Sequence, residues 1–170
     1  ALAAFALTMK ARARQRAFFA KNVTPNICVL EPVAFSSDEL GQLVSRDGDR
    51  DAEEAFFAMF TTADTLGALI RPDEELLPGT AARVEVFDDG ANLFNENLTV
   101  RARRVLAQAE YLSSRYHVVV ANPPYMGARN MGAELNSHIQ LNYPDASPDL
   151  YLAFMDLGLR LVARGGFCAF

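Results

Sequence analysis

Cysteine is scarce in this chain of 170 residues, which has only Cys28 and Cys168. Two thiols cannot build a disulfide framework or a four-ligand zinc site. Both lie in apolar runs, which predicts buried free thiols in a reducing compartment. Histidine is equally sparse. His117 and His138 are far apart and lack the partner spacing of a metal site or a catalytic triad, so both read as ordinary surface or loop residues. Ser113-Ser114 has no nucleophile-elbow motif around it. No uninterrupted apolar run is long enough to span a bilayer, so no membrane association is expected. The first residues lack a charged start followed by a small-residue cleavage site. A soluble, cytoplasmic protein is the expectation. Neither an internal repeat nor a low-complexity tract is visible.

What is present suits a folded domain. Hydrophobic residues make up 51% and charged residues 22%, which argues against intrinsic disorder and for a single core. Sixteen basic and 21 acidic residues give a formal net charge of −5, which says little about partners. The chain opens on Ala1 inside a helical pattern and stops at Phe170 inside an apolar run. A piece of a longer protein is therefore expected.

Along residues 1–19, Leu2, Phe5, Ala6, Met9 and Ala13 follow helical spacing, with Lys10, Arg12, Arg14 and Arg16 toward the C-terminal end. Those cations suit the negative end of a helix dipole better than a nucleic-acid patch. Ile27-Cys28-Val29-Leu30 reads as a short buried strand that ends at Glu31-Pro32. Residues 33–98 differ in texture. Ser36-Ser37-Asp38-Glu39 resembles a helix start, and Asp51 and Glu54 have capping-box spacing ahead of Phe56, Phe57, Met59 and Phe60. That aromatic cluster reads as core. Turns are expected at Asp47-Gly48-Asp49, Leu76-Leu77-Pro78-Gly79 and Asp88-Asp89-Gly90. Ala102, Val105, Leu106 and Ala109 trace one face of a helix.

His117-Val118-Val119-Val120-Ala121 is nearly all apolar and β-branched, the pattern of a strand covered on both faces of a parallel sheet. A polar stretch from Met126 to Ser147 reads as loop. Ser147-Pro148 reads as a helix start, with Leu150, Phe154, Leu157 and Leu161 on the buried face. Gly165-Gly166 is expected to stop that helix before a further strand from Phe167. The order of elements is α/β, with right-handed crossovers.

In an open α/β sheet, ligands bind beyond the carboxyl ends of strands. Asn122-Pro123-Pro124-Tyr125 sits there. The residue before a proline is held extended, which makes Asn122 stiff. Pro123 and Pro124 lack N–H groups, so the segment is rich in acceptors and poor in donors. The Asn122 side-chain oxygen and the Pro123 carbonyl can grip an amino group with two hydrogens. Tyr125 offers a flat face to a planar ring.

This tetrapeptide after a hydrophobic strand resembles the motif of amino-directed, S-adenosylmethionine-dependent methyltransferases, among them the N6-adenine DNA enzymes. The wider string Val118 to Gly127 is similar to the PglX-like branch of BREX phage defence. Asn142-Tyr143-Pro144-Asp145, Asp149-Leu150-Tyr151 and Leu66-Gly67-Ala68-Leu69-Ile70 fit that branch too. The resemblance implies a partial Rossmann-like methyltransferase core with residues 33–98 as a helical insertion between strands. It also implies double-stranded DNA as partner, with the target adenine flipped out of the duplex. Other defence-system proteins are further partners it brings in.

By the same resemblance, Asn122 and the Pro123 carbonyl would hold the amino hydrogens and keep the nitrogen lone pair turned toward the methyl donor, with Pro124 stiffening the turn. Tyr125 would stack on the flipped base, with Met126, Gly127 and Asp149 lining its pocket. Glu31 and Asn122 would contact the cofactor, S-adenosylmethionine, with Glu31 near its adenine. No metal is required. The family's glycine-rich cofactor loop is expected upstream of Ala1, so the isolated chain is expected to be inactive. Two other readings compete. One is an amino methyltransferase acting on protein glutamine or RNA; the other is a non-catalytic module that binds DNA or a defence partner.

Overall fold

Helical periodicity governs the first two thirds of the chain. The computed structural model describes residues 2–45, 48–89 and 96–170. Among these, the helices are α1 (Leu2–Arg14), α2 (Ser37–Leu43), α3 (Arg50–Ala58), α4 (Ala63–Leu66), α5 (Leu76–Asp89), α6 (Glu96–Ser113), α7 (Ala133–Asn142) and α8 (Leu150–Leu161). Two strands, β1 (Tyr116–Val120) and β2 (Val162–Ala169), pair in parallel. The architecture is thus helix-rich with a small parallel sheet. This is narrower than the expected α/β order, although β1 and the segment from Phe167 are neighbours.

The first core gathers around α6. Leu98, Ala102, Val105, Ala109 and Leu112 recur at helical spacing and are all buried. They meet Phe56, Phe57 and Phe60 of the aromatic cluster, which is core as expected, with Leu43, Ala63, Leu66, Ile70 and Val84. The rings of Phe56 and Phe57 pack edge to face at 5.6 Å. Ser36 caps α2 in a reciprocal box with Glu39. The cap of α3 is Asp49, which accepts from the Ala52 N–H, so that helix starts two residues before the expected Asp51. Glu53, buried in α3, is neutralised by Arg83 of α5 at 2.5 Å.

Ile27–Leu30 forms no strand. A strand needs a neighbour to take its backbone groups. Here Glu31 instead exchanges both backbone bonds with the side-chain amide of Gln108, at 2.8 and 3.3 Å, and the Val33 N–H reaches the Phe60 carbonyl. The segment runs extended along α6, antiparallel to it: Asn26 meets Tyr111, Glu31 meets Gln108, and Ala34 meets Arg101. Cys28 and Cys168 are half-buried, not fully buried as expected. Helix α1 has no buried residue, because Leu2, Phe5 and Met9 face outward; it also ends at Arg14, short of residue 19.

Other expectations give way for local reasons. Leu76–Gly79 opens α5 instead of making a turn, since Pro78 falls in the first helical turn, where its missing N–H has no partner to lose. The Asp88–Gly90 and Asp47–Asp49 turns fall partly outside the described residues. Residues 126–147 hold α7 and two short 3-10 turns, not a plain loop. That helix is missed because Ile139 is its one buried residue. Ser147-Pro148 precedes the start of α8, whose cap is Asp149.

Gly165-Gly166 does not end α8, which stops at Leu161. The pair forms a bulge inside β2. Tyr116 pairs with Val162, but Val118 pairs with Phe167, so the glycines absorb the extra residues. Gly165 takes φ 78°, and a Cβ on Gly166 would lie 2.6 Å from the His117 carbonyl oxygen. Helix α8 covers one face of this sheet. Its other face is open, with Val120 73% and Phe167 75% exposed, so β1 is not covered on both faces as expected.

A second core lies between α7 and α8: Leu69, Met131, Ile139, Tyr143, Ala146, Leu150, Ala153 and Leu157. The expected face of α8 holds, with Leu150 and Leu157 buried and Phe154 and Leu161 packed against them. Tyr143 donates to the Leu69 carbonyl at 3.1 Å, and His138 Nε2 reaches the same oxygen at 2.9 Å. His138 is therefore a structural residue on a helix, while His117 is exposed as expected.

Candidate active site

The Asn-Pro-Pro-Tyr segment leaves the carboxyl end of β1 as that ladder finishes, with the Ala121 N–H bonded to the Ala169 carbonyl at 3.0 Å. Pro123 is buried and seats the turn, while Asn122, Pro124 and Tyr125 are exposed. Pro123 and Pro124 leave the turn without backbone donors to compete for nearby acceptors. The Asn122 amide makes no hydrogen bond to another described residue. Its oxygen and the Pro123 carbonyl are thus two acceptors on a stiff turn, suited to a neutral N–H donor.

Backbone pairing fixes the residues on the far side of Tyr125. Gly127 and Asp149 form an antiparallel bridge, with Leu150 N–H donating to Met126 O at 2.9 Å and Ala128 N–H to Pro148 O at 3.0 Å. The loop after the tetrapeptide is thereby tied to the start of α8. The Asp149 carboxylate accepts from the Tyr151 N–H at 2.8 Å and caps that helix. Four of the expected positions, Tyr125, Met126, Gly127 and Asp149, are brought together with Asn122 at one end of β1.

Tyr125 is 83% exposed, yet one face of its ring is occupied. Tyr151 stacks on it with centroids 5.2 Å apart and planes 10° from parallel. Phe170 meets Tyr151 edge-on at 6.3 Å. Neither Tyr151 nor Phe170 stood out as a site residue in the sequence. The available signal was an aromatic two residues after Asp149, on a helix otherwise aliphatic in its first turn. Phe170 can approach because α8 carries Gly158 there: a Cβ would lie 2.5 Å from Phe170 Cζ and 2.8 Å from Cys168 Sγ.

Glu31 does not join this group. Its carboxylate pairs with Arg104 at 3.0 Å, and its backbone is held by Gln108, both on α6. The described residues therefore fit a planar amino-bearing acceptor, but they do not assemble a pocket for S-adenosylmethionine. Two clefts, of about 480 and 590 Å³, lie elsewhere. The larger is lined by Arg71, Glu74, Arg115 and Arg160 beside the start of β1, at the opposite end of the strand from Asn122. Among the described residues, no helix is long and apolar enough to cross a membrane, and no group of His, Cys, Asp or Glu has the geometry of a metal site.

Residues 7–170 match the family described as Eco57I restriction-modification methylase. The adenine-specific methyltransferase BrxX of Escherichia coli O9:H4 (strain HS) is 34% identical over 115 residues, covering 66% of this chain and 10% of that protein. The adenine-specific methyltransferase PglX of Lacticaseibacillus casei (strain Zhang) is 26% identical over 176 aligned positions, covering 97% of this chain and 14% of that protein. The chain spans about a tenth to a seventh of the length of these relatives.

Proposed function

The chain belongs to the Eco57I restriction-modification methylase family, and from that premise we propose that it carries the methyl-acceptor site of a BREX-type enzyme that methylates the N6 amino group of adenine in DNA. The observation that carries the reading is the tetrapeptide at the end of β1, with a free Asn122 amide and an outward Tyr125 face. S-adenosylmethionine would supply an electrophilic methyl group. The residues of this chain act on the acceptor. Asn122 Oδ1 and the Pro123 carbonyl each accept one amino hydrogen and orient the lone pair, a matter of positioning and fixed dipoles more than of a strong base. Tyr125 stacks on the base once it has left the duplex. Asp149 acts here through the fold, as the cap that fixes the start of α8. In this reading residues 33–98, largely α2–α5, are an insertion between sheet strands. Glu31 would face the cofactor only by leaving Arg104.

Replacement of Asn122 tests the assignment. In the full-length protein, Asn122→Ala is expected to lower N6-methyladenine in cellular DNA at least a hundredfold, on the order of losing one oriented acceptor in a preorganised site. The melting temperature should not change, because the side chain is exposed and unbonded. Wild-type methylation by that variant would remove Asn122 from the mechanism. Methyl transfer by the wild-type protein to glutamine or RNA, and not to DNA, would overturn the substrate.

A further inference from the structure

Resting on that reading of the tetrapeptide, we propose that Tyr151 is a positioning residue that holds the Tyr125 ring ready for the flipped base. The two rings are nearly parallel, with 5.2 Å between centroids, and are in stacking contact. No slot remains between them for a base. The base must therefore add to the outer face of Tyr125, making a column of base, Tyr125 and Tyr151. Phe170 closes the column edge-on behind Tyr151.

The place of Tyr151 is fixed from two directions. Asp149 holds its N–H, and the pairing of Met126–Ala128 with Pro148–Leu150 locks the loop of Tyr125 to the same helix start. An aromatic ring as exposed as that of Tyr125 would otherwise sample several rotamers and lose that freedom on binding. Backing by Tyr151 removes part of this cost before DNA arrives. Stacking is present in the bound state and in the transition state alike, so its loss should appear mainly in KM.

The test uses the full-length protein, on a duplex whose target sequence is read from DNA methylated by the wild type. Tyr151→Leu is expected to raise KM for DNA about three- to tenfold, the range of one aromatic pair, with kcat changed less than about twofold. Tyr151→Phe should restore wild-type KM. With 2-aminopurine at the target position, saturating Tyr151→Leu should give brighter emission than wild type, because the flipped base stacks less firmly. If Tyr151→Leu fails to fold, Tyr151→Met, which keeps length and apolar volume, takes its place under the same outcomes. Wild-type KM and emission in the folded variant would overturn the proposal, as would equal losses in Tyr151→Phe and Tyr151→Leu. Failure of the underlying reading looks different: the wild-type protein itself would leave adenine unmethylated.

Discussion

Tyr143 sits in a string that resembles a methyltransferase branch, and its hydroxyl is buried against the Leu69 carbonyl. Burial pushes that phenol up to about 12, against a smaller opposing pull from Arg71 and Arg160. The ordinary value of about 10 holds in the unfolded chain. A folded value above the unfolded one means the native state keeps its proton longer. This stabilisation is complete below pH 10 and disappears as pH rises through 12. Tyr143→Phe is expected to cost about 1 kcal/mol at neutral pH, since Leu69 keeps its bond from His138. Above pH 10 the variant should lose stability less steeply than wild type, which urea unfolding at stepped pH would measure. At this scale the turn that carries Asn122 and Tyr125 was legible in the sequence, because adjacent prolines fix its backbone locally. The position of Glu31 was not, because it depends on Arg104 and Gln108, more than seventy residues away.

Among the elements, α6 and α8 were legible from apolar spacing alone, and the start of α2 from the polar run Ser36-Ser37-Asp38-Glu39. Ser36→Ala should cost about 1 kcal/mol in thermal or urea unfolding, because it removes one half of the box with Glu39. The bulge in β2 escaped notice because a glycine pair after a helical pattern carries the same signal as a helix stop. Its two glycines should respond differently. Gly165→Ala strains a left-handed backbone with open space around it, for about 1–2 kcal/mol. Gly166→Ala drives a methyl into the His117 carbonyl and should cost more, as backbone there must move. Equal melting temperatures for the two variants would show that β2 relaxes freely. The extended segment at Ile27–Leu30 has strand composition without strand pairing, and composition cannot report which neighbours are present.

At the scale of the molecule, the core around α6 and the core between α7 and α8 meet near Leu69, whose carbonyl takes bonds from both Tyr143 and His138. The sequence pointed to a methyltransferase domain, and the family match bears that out. The structure shows a parallel pair of strands with α8 across one face. Val118, Val120 and Phe167 lie bare on the other. A contiguous apolar face of this kind favours self-association. The 170-residue chain is expected to associate with rising concentration, and Phe167→Ser to weaken that association without lowering the melting temperature. Sedimentation velocity over a concentration series reads this directly; identical profiles for the two chains would place the contact elsewhere.

The pairing of Tyr125 with Tyr151 also has an optical consequence. Five tyrosines and no tryptophan occur in this sequence. Two phenol rings held 10° from parallel couple their electronic transitions, and no indole absorption overlies them. The near-ultraviolet circular dichroism of the chain should therefore carry a contribution from this pair, beside that of Tyr111 and Tyr116 at 6.0 Å, and replacing either Tyr125 or Tyr151 by leucine should remove the first and leave the second. Docking of the Asn-Pro-Pro-Tyr loop on α8 thus writes its own signal into the spectrum.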